Sequence, residues 1–359
     1  MKRSLKINDE IKNSVIKYIA AFLAVIVIGS MLILLQGENP FNAFREIYKG
    51  ALGTKISFGS SLRYAMPCIL VGIAASIAFK AGIFNMGVEG QLYFGALVAA
   101  VVGYSYKFPP IIHIFLCLLA AGLAGLMYAF FPAILKLFFN VSELITTLML
   151  NFMAKLLTEY ITMWWIGHGV SNLGSNAIAT PKIYDSAVLP NLIKGTSASY
   201  GIIIAVLIAL VVAIFYKYTI KGYELKQVGE NLKFAKIGGV NAKSSFVSIF
   251  LLSGFIAGIS GGVEVLGSYF RFTAQFASNM GWDGIMIAFI ANKNPIAIVL
   301  VSFLWGALKA GSLNMERLTS LNKLTVNILL MLFVLFVSVD YKVLFKEIQS
   351  IFKKGSVGG

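Results

Sequence analysis

Charge is what this 359-residue chain has little of. Asp, Glu, Lys and Arg make up 13% of it, well below the quarter or so of an ordinary soluble domain. Histidine and cysteine are scarcer still, at two each. His113, His168, Cys68 and Cys117 fall at no metal-ligand spacing, so no metal site is expected. His113 lies near a helix end and reads as a satisfied polar residue, while both cysteines lie in apolar runs as small core residues without a redox role. No G-x-x-x-x-G-K-[ST] stretch occurs, and GALGTK at 50–55 lacks its spacing, so the chain has no P-loop of its own. No catalytic constellation stands out. These absences argue against an enzyme acting by its own residues and against any bound cofactor.

What fills the space is apolar sequence: 58% of residues are hydrophobic and the mean hydropathy is +0.83. Uncharged apolar runs recur at 18–35, 64–79, 92–106, 111–135, 199–216, 245–263, 295–308 and 324–339. Two more segments, 142–163 and 276–291, are helical in pattern but carry polar residues. Together they predict an all-α, multi-pass membrane protein of about ten spans. Runs this continuous do not suit a β-barrel, whose strands alternate.

The polar, basic head MKRSLKINDEIKNSVIK precedes the first run, which has neither the short apolar core nor the clear cleavage site of a signal peptide; 18–35 reads as a retained helix. The net charge of +15 could suggest nucleic acid, but the basic residues gather between helices rather than on one polar face. With both termini cytoplasmic, the dense clusters at the head, in the 217–243 loop and in the tail all fall inside, as the positive-inside rule favours. The expected layout is one membrane domain over 1–359. It comprises a cytoplasmic N-terminus at 1–17, a five-helix half at 18–163, an external loop at 164–198, a second five-helix half at 199–341 holding a cytoplasmic loop at 217–244, and a tail at 342–359.

A short element occurs twice. FNMGVEGQ at 84–91 and SNMGWDGI at 278–285 share Asn-Met-Gly-x-acid-Gly: Asn85, Met86, Gly87, Glu89 and Gly90, then Asn279, Met280, Gly281, Asp283 and Gly284. The first copy joins the second and third spans, the second the seventh and eighth. Copies at equivalent points of two five-helix halves imply that the second half is inverted. Glycines so spaced loosen a helix and free backbone groups, tolerated at membrane depth only in protein or beside water. A carboxylate there marks a pathway or a polar network. Glu89 could instead lie in an interfacial turn, and Asp283 could serve the positive end of a helix; the repetition in inverted halves favours the pathway. Phe84 and Trp282 flank the two copies and are candidates to stack on a flat substrate.

In SELITTLMLNFMAKLLTE, Glu143, Thr147 and Asn151 share one helix face, either for hydrogen bonding between helices or as pathway lining. Lys155 and Glu159 continue the spacing and are expected to pair with each other. In the long internal loop, NLKFAKI at 231–237 suits a short helix ended by Gly238-Gly239, with Glu230 at its start. Such a helix could dock in a partner's groove through Phe234 and Ile237, or lie on lipid headgroups.

At these residues the chain resembles the permease subunits of ABC importers for simple sugars and nucleosides. FNMGVEGQ is similar to that family's Phe-Asn-Ile-Gly-x-Glu-Gly-Gln element, with Met86 in place of isoleucine. SELITTLMLNFMA resembles its fifth-helix motif, with Ser142 where asparagine is commoner. VGENLKFAKIGGVN resembles its coupling segment, with Leu232 for a usual proline, and GWDGIMIAFIANKNP its late motif, with Asn292 and Lys293 for small residues. The Glu-Gly-Gln form is that of the nucleoside permeases. The resemblance implies a ten-helix fold with broken helices in a bacterial plasma membrane. It also implies a second permease chain, cytoplasmic ATPases and an external substrate-binding lipoprotein. Phe84, Asn85, Glu89, Gln91, Thr147, Asn151, Asn279, Trp282 and Asp283 would then lie on the substrate pathway. Glu230, Asn231, Phe234, Ala235, Ile237 and Gly238 would meet the ATPase. A simple-sugar permease is the alternative within the class. A stand-alone proton-coupled transporter using Glu89 or Asp283, and a membrane scaffold, are the alternatives outside it.

Overall fold

The computed structural model describes residues 21–338, apart from 22, 167–177, 278 and 323. The head at 1–17, the tail at 342–359, His168 and much of the expected external loop lie outside the described residues. Regular structure is helical: α1 Leu23–Leu35, then α2 Pro40–Leu52, α3 Lys55–Lys80, α4 Val88–Ser105, α5 Pro110–Phe139, α6 Glu143–Ile161, α7 Gly201–Tyr218, α8 Ile220–Glu230, α9 Leu232–Ile237, α10 Ala242–Glu264, α11 Met280–Ile290, α12 Pro295–Leu318 and α13 Leu324–Ser338. Single π-turns extend α6 and α10, over Thr162–Ile166 and Val265–Tyr269. Beyond these, the described residues hold only a 3₁₀ turn and two isolated β-bridges.

The all-helical, multi-pass fold stands, and the described residues supply six or seven of the expected spans by length and composition. Six of the described helices (α3, α5, α6, α7, α10 and α12) are long and apolar enough to cross a bilayer, or seven if α1 and α2, bent by 114° at their break, form one span. Three expected spans fall on less regular pieces. The run at 92–106 lies in α4, whose first turn holds Glu89 and Gln91; the one at 276–291 is reduced to α11, 11 residues long; the one at 324–339 lies in α13, 15 residues long. In α4 and α11 the polar motif residues at the start dilute or shorten the apolar helix. Conversely, α2 and α8 were not expected, because neither has a continuous apolar run. In α2, Ala43, Ile47 and Ala51 are buried while Phe41, Tyr48 and Leu52 are exposed, a one-sided pattern rather than an all-round apolar one.

The chain divides into two units, Tyr48–Gly311 and the pair Met1–Ile47 with Ser312–Gly359. Within the described part of the second, Gly29 lies against Leu329, Asn314 Nδ2 donates to the Glu46 carbonyl at 2.9 Å, and Glu38 accepts from the Ser320 backbone and hydroxyl at 2.9 and 2.7 Å.

The larger unit is built on close helix contact. Gly254 and Gly258 of α10 face Ala121, Gly125 and Ala129 of α5, and Gly95 of α4 faces Gly258, so that a Cβ at any of these glycines would strike a neighbouring backbone or methyl. In lipid there is little hydrophobic drive between helices, and small residues allow the backbone approach that replaces it. Ser260 of α10 donates to the carbonyl of Pro67, inside α3, at 3.3 Å. Both cysteines are buried and unbridged, and buried His113 bonds Ser186 Oγ at 2.8 Å.

Candidate functional site

The first motif copy begins where α3 stops. Gly82, at φ +74°, closes α3 in a Schellman turn: its N–H donates to the Phe79 carbonyl at 3.2 Å and that of Ile83 to Ala78 at 3.0 Å. The next five residues are non-helical until α4 starts at Val88, and Ile83, Asn85 and Gly87 among them are buried. Side chains serve their polar groups. Asn85, fully buried, accepts from the Gly87 N–H at 2.9 Å and donates to Gln91 Oε1 at 3.1 Å and Ser253 Oγ of α10 at 2.9 Å. From α6, Thr147 Oγ1 accepts from the Met86 N–H at 3.2 Å. Asn151 donates to the Met86 carbonyl at 2.7 Å and accepts from the Gly90 N–H at 2.8 Å. The polar stripe on α6 is therefore a clamp on the helix break.

Glu89 sits at the centre, 1% exposed. One oxygen is 2.6 Å from Lys155 Nζ of α6; the other accepts from the Gly281 N–H of the second copy at 3.2 Å. The two copies thus meet, and a Cβ on Gly281 would lie 2.5 Å from that of Glu89. The expected Lys155–Glu159 pair gives way to this one. A carboxylate shut away from water has few other partners, and the long lysine side chain, 30% exposed, reaches inward to it.

In the second copy, Asn279 is exposed with φ +67° as the N-cap of α11, a left-handed conformation that asparagine tolerates. Asp283 is buried in the first turn of α11 and pairs with Lys309 of α12. Gly284 lies against Val71 of α3. Phe84 and Trp282 remain 43% and 40% exposed. Phe84 lies 5.5 Å from the Phe79 ring, which stacks at 4.9 Å on Phe289 of α11.

Three charged groups escaped the sequence reading. Lys309 partners Asp283, and Arg63 of α3 lies 3.5 Å from the buried Glu264 of α10, its guanidinium 4.8 and 5.2 Å from the Tyr64 and Tyr269 rings. The signal was available: a lone charge beside a long apolar run is costly in lipid and implies a partner.

In the connection between α7 and α10, α9 spans Leu232–Ile237, with Asn231 as N-cap accepting from the Phe234 N–H at 3.0 Å. Gly238 caps its end and Gly239 follows at φ +83°, as expected. Phe234 and Ile237 are 59% and 86% exposed, while Ala235 is buried. Glu230 is placed differently from expectation: it ends α8, where Lys226 lies 3.6 Å away, and does not open α9. Asn231, which accepts the free N–H itself, takes the start of α9.

Comparison with known proteins follows the same lines. A family model described as "Branched-chain amino acid transport system / permease component" matches residues 57–336. A guanosine ABC transporter permease protein, NupP of Bacillus subtilis, is 34% identical over 88% of this chain and 91% of its own length. A glucose ABC transporter permease protein, TsgB13 of Haloferax volcanii, is 29% identical over 88% and 84%. A nucleoside ABC transporter permease protein, NupB of Lactococcus lactis, is 26% identical over 85% and 86%. No solved structure matches. The chain belongs to the family of branched-chain amino acid transport system permease components.

Proposed function

We propose that this protein is the membrane permease of an ATP-driven importer and passes nucleosides inward by alternating access. The observation that carries the reading is the meeting of two broken-helix motifs at a buried carboxylate, Glu89 on Gly281. Broken helices near the middle of a membrane domain are where transporters build substrate paths. Two conformations that partners can bias are what such a subunit needs, and it makes or breaks no covalent bond itself. In this reading the chain forms two inverted halves of five crossings in a bacterial plasma membrane, with both termini cytoplasmic. It pairs with a second permease chain, two cytoplasmic ATPases and an external substrate-binding lipoprotein.

Roles follow from placement. Asn85, Gln91, Thr147 and Asn151 hold the first break in shape. Glu89 and Asp283 form the polar shell of the path with their lysines. Asn279 stands at the open start of the second copy, where Trp282 and, beside the first copy, Phe84 offer ring faces to a base; such stacking contributes about 1–3 kcal/mol per base. On the cytoplasmic side Phe234 and Ile237 fill a groove on the ATPase, with Asn231, Ala235 and Gly238 shaping the segment and Glu230 behind it.

The likeness to NupP and NupB, named for guanosine and nucleosides, favours nucleosides; the likeness to TsgB13, named for glucose, supports a simple-sugar permease as the second reading. Binding of nucleosides and sugars to the companion lipoprotein, followed by ATP-dependent uptake in proteoliposomes, separates them. Nucleoside uptake that needs the ATPases is the expected result. Sugar uptake would establish the second reading, and uptake by this chain alone on a proton gradient would overturn both.

A further inference from the structure

The coupling segment and the first helix break, distant in sequence, touch through backbone alone. Gly229, the penultimate residue of α8, stands two residues before the cap of α9. A Cβ there would lie 2.8 Å from the Ala81 Cα and closer still to the Lys80 carbonyl oxygen. From the other side, a Cβ on Gly82 would lie 3.4 Å from the Gly229 Cα. Two glycines thus let the end of α8 seat directly on the last turn of α3. Around this seat, the Tyr216 hydroxyl donates to the Ile77 carbonyl at 3.3 Å and Lys80 Nζ stands 4.3 Å from the Tyr216 ring.

We propose that Gly229 is the positioning residue through which motion of the cytoplasmic segment reaches the transport path. This rests on the reading of α9 as the ATPase contact. Side chains can change rotamer and absorb a small displacement; two backbones in contact have no such slack. A shift of α8 and α9 therefore displaces the end of α3. Asn85, three residues beyond Gly82, passes that shift to α4 and α10 through Gln91 and Ser253. Phe79, in the same last turn, passes it to α11 by its stack on Phe289. One push then bears on both motif copies.

The test uses the complete importer in proteoliposomes. Gly229→Ala forces the two backbones apart, and the expected result is about tenfold more ATP hydrolysed per nucleoside imported, with the hydrolysis rate kept within about twofold. Uptake and hydrolysis falling together would mean that Gly229 serves packing alone, and no change in either would mean that the contact carries nothing; both overturn the proposal. A second experiment does not depend on how that variant folds. Lys226 stands three residues before Gly229 on α8, and Lys80 is the residue whose carbonyl Gly229 faces; Cys68 and Cys117 are buried. Bridging Lys80→Cys to Lys226→Cys with a bifunctional thiol reagent fixes α8 to α3. Because the two ends are to move as one body, uptake should stay within about twofold; its loss on bridging overturns the proposal. Failure of the coupling reading itself would show separately, as Phe234→Asp leaving both hydrolysis and uptake intact.

Discussion

The two Asn-Met-Gly-x-acid-Gly copies share a sequence and differ in what surrounds them. In the first, Asn85, Glu89 and Gln91 are all buried; Asn85, Thr147 and Asn151 hold backbone groups of Met86, Gly87 and Gly90, and Asn85 is itself held by Gln91 of α4 and Ser253 of α10. In the second, the equivalent asparagine is exposed, the tryptophan beside the acid is 40% exposed, and the acid pairs with α12. The asparagines illustrate the contrast: Asn85 works through its side chain, whereas Asn279 works through its backbone by adopting φ +67°. The same motif therefore builds a clamped break in one place and an open helix start in the other. Local sequence supplies the loosened turn, and the neighbouring helices decide how firmly it is held.

Four substitutions sharpen the comparison, taken from the largest effect down. Glu89→Ala removes the acid that joins the copies, leaving Lys155 without its partner and the Gly281 N–H unserved. A loss of about 2–4 kcal/mol is expected, near the low end for buried pairs because Lys155 is partly exposed, and uptake should fall below detection while membrane insertion persists. Thermal unfolding in detergent and an uptake assay at equal expression measure both; wild-type uptake would remove Glu89 from the path. Asn151→Ala strips two hydrogen bonds from the first break and should cost about 1–3 kcal/mol, read as a lowered melting temperature with reduced uptake. At the equivalent asparagines the copies should part most clearly. Asn85→Gly should behave like Asn151→Ala, whereas Asn279→Gly should stay within about 0.5 kcal/mol of wild type, since glycine adopts the left-handed conformation freely. Equal losses at both positions would erase the distinction between a clamped and an open copy.

Charges inside the helices show where the sequence could be read and where it misled. The apolar runs were bounded at 64, 263 and 308, one residue short of Arg63, Glu264 and Lys309. The helices run on through all three, α3 from Lys55, α10 to Glu264 and α12 to Leu318. A charge ends an apolar run in sequence but not a helix in space, because a partner on another helix removes most of the cost of burying it. Lys155 failed in the opposite sense: Glu159 was a partner at the right spacing on its own helix, but Glu89, 66 positions earlier by number, was buried and in need of one.

By itself the sequence determined the solvent, the helical class, the two helix breaks and the short helix at 232–237. Each of these rests on composition, on runs long enough to act alone, or on local chemistry such as the Asn231 cap and the Gly238-Gly239 stop. Tertiary structure alone decided that the two breaks touch, which lysine meets which acid, that Thr147 and Asn151 clamp the first break, and that Gly229 seats on the end of α3. Those choices depend on how closely one backbone approaches another across tens to hundreds of residues. That distance is set by the small residues of α4, α5 and α10 packed together, and no local pattern in any one helix records it.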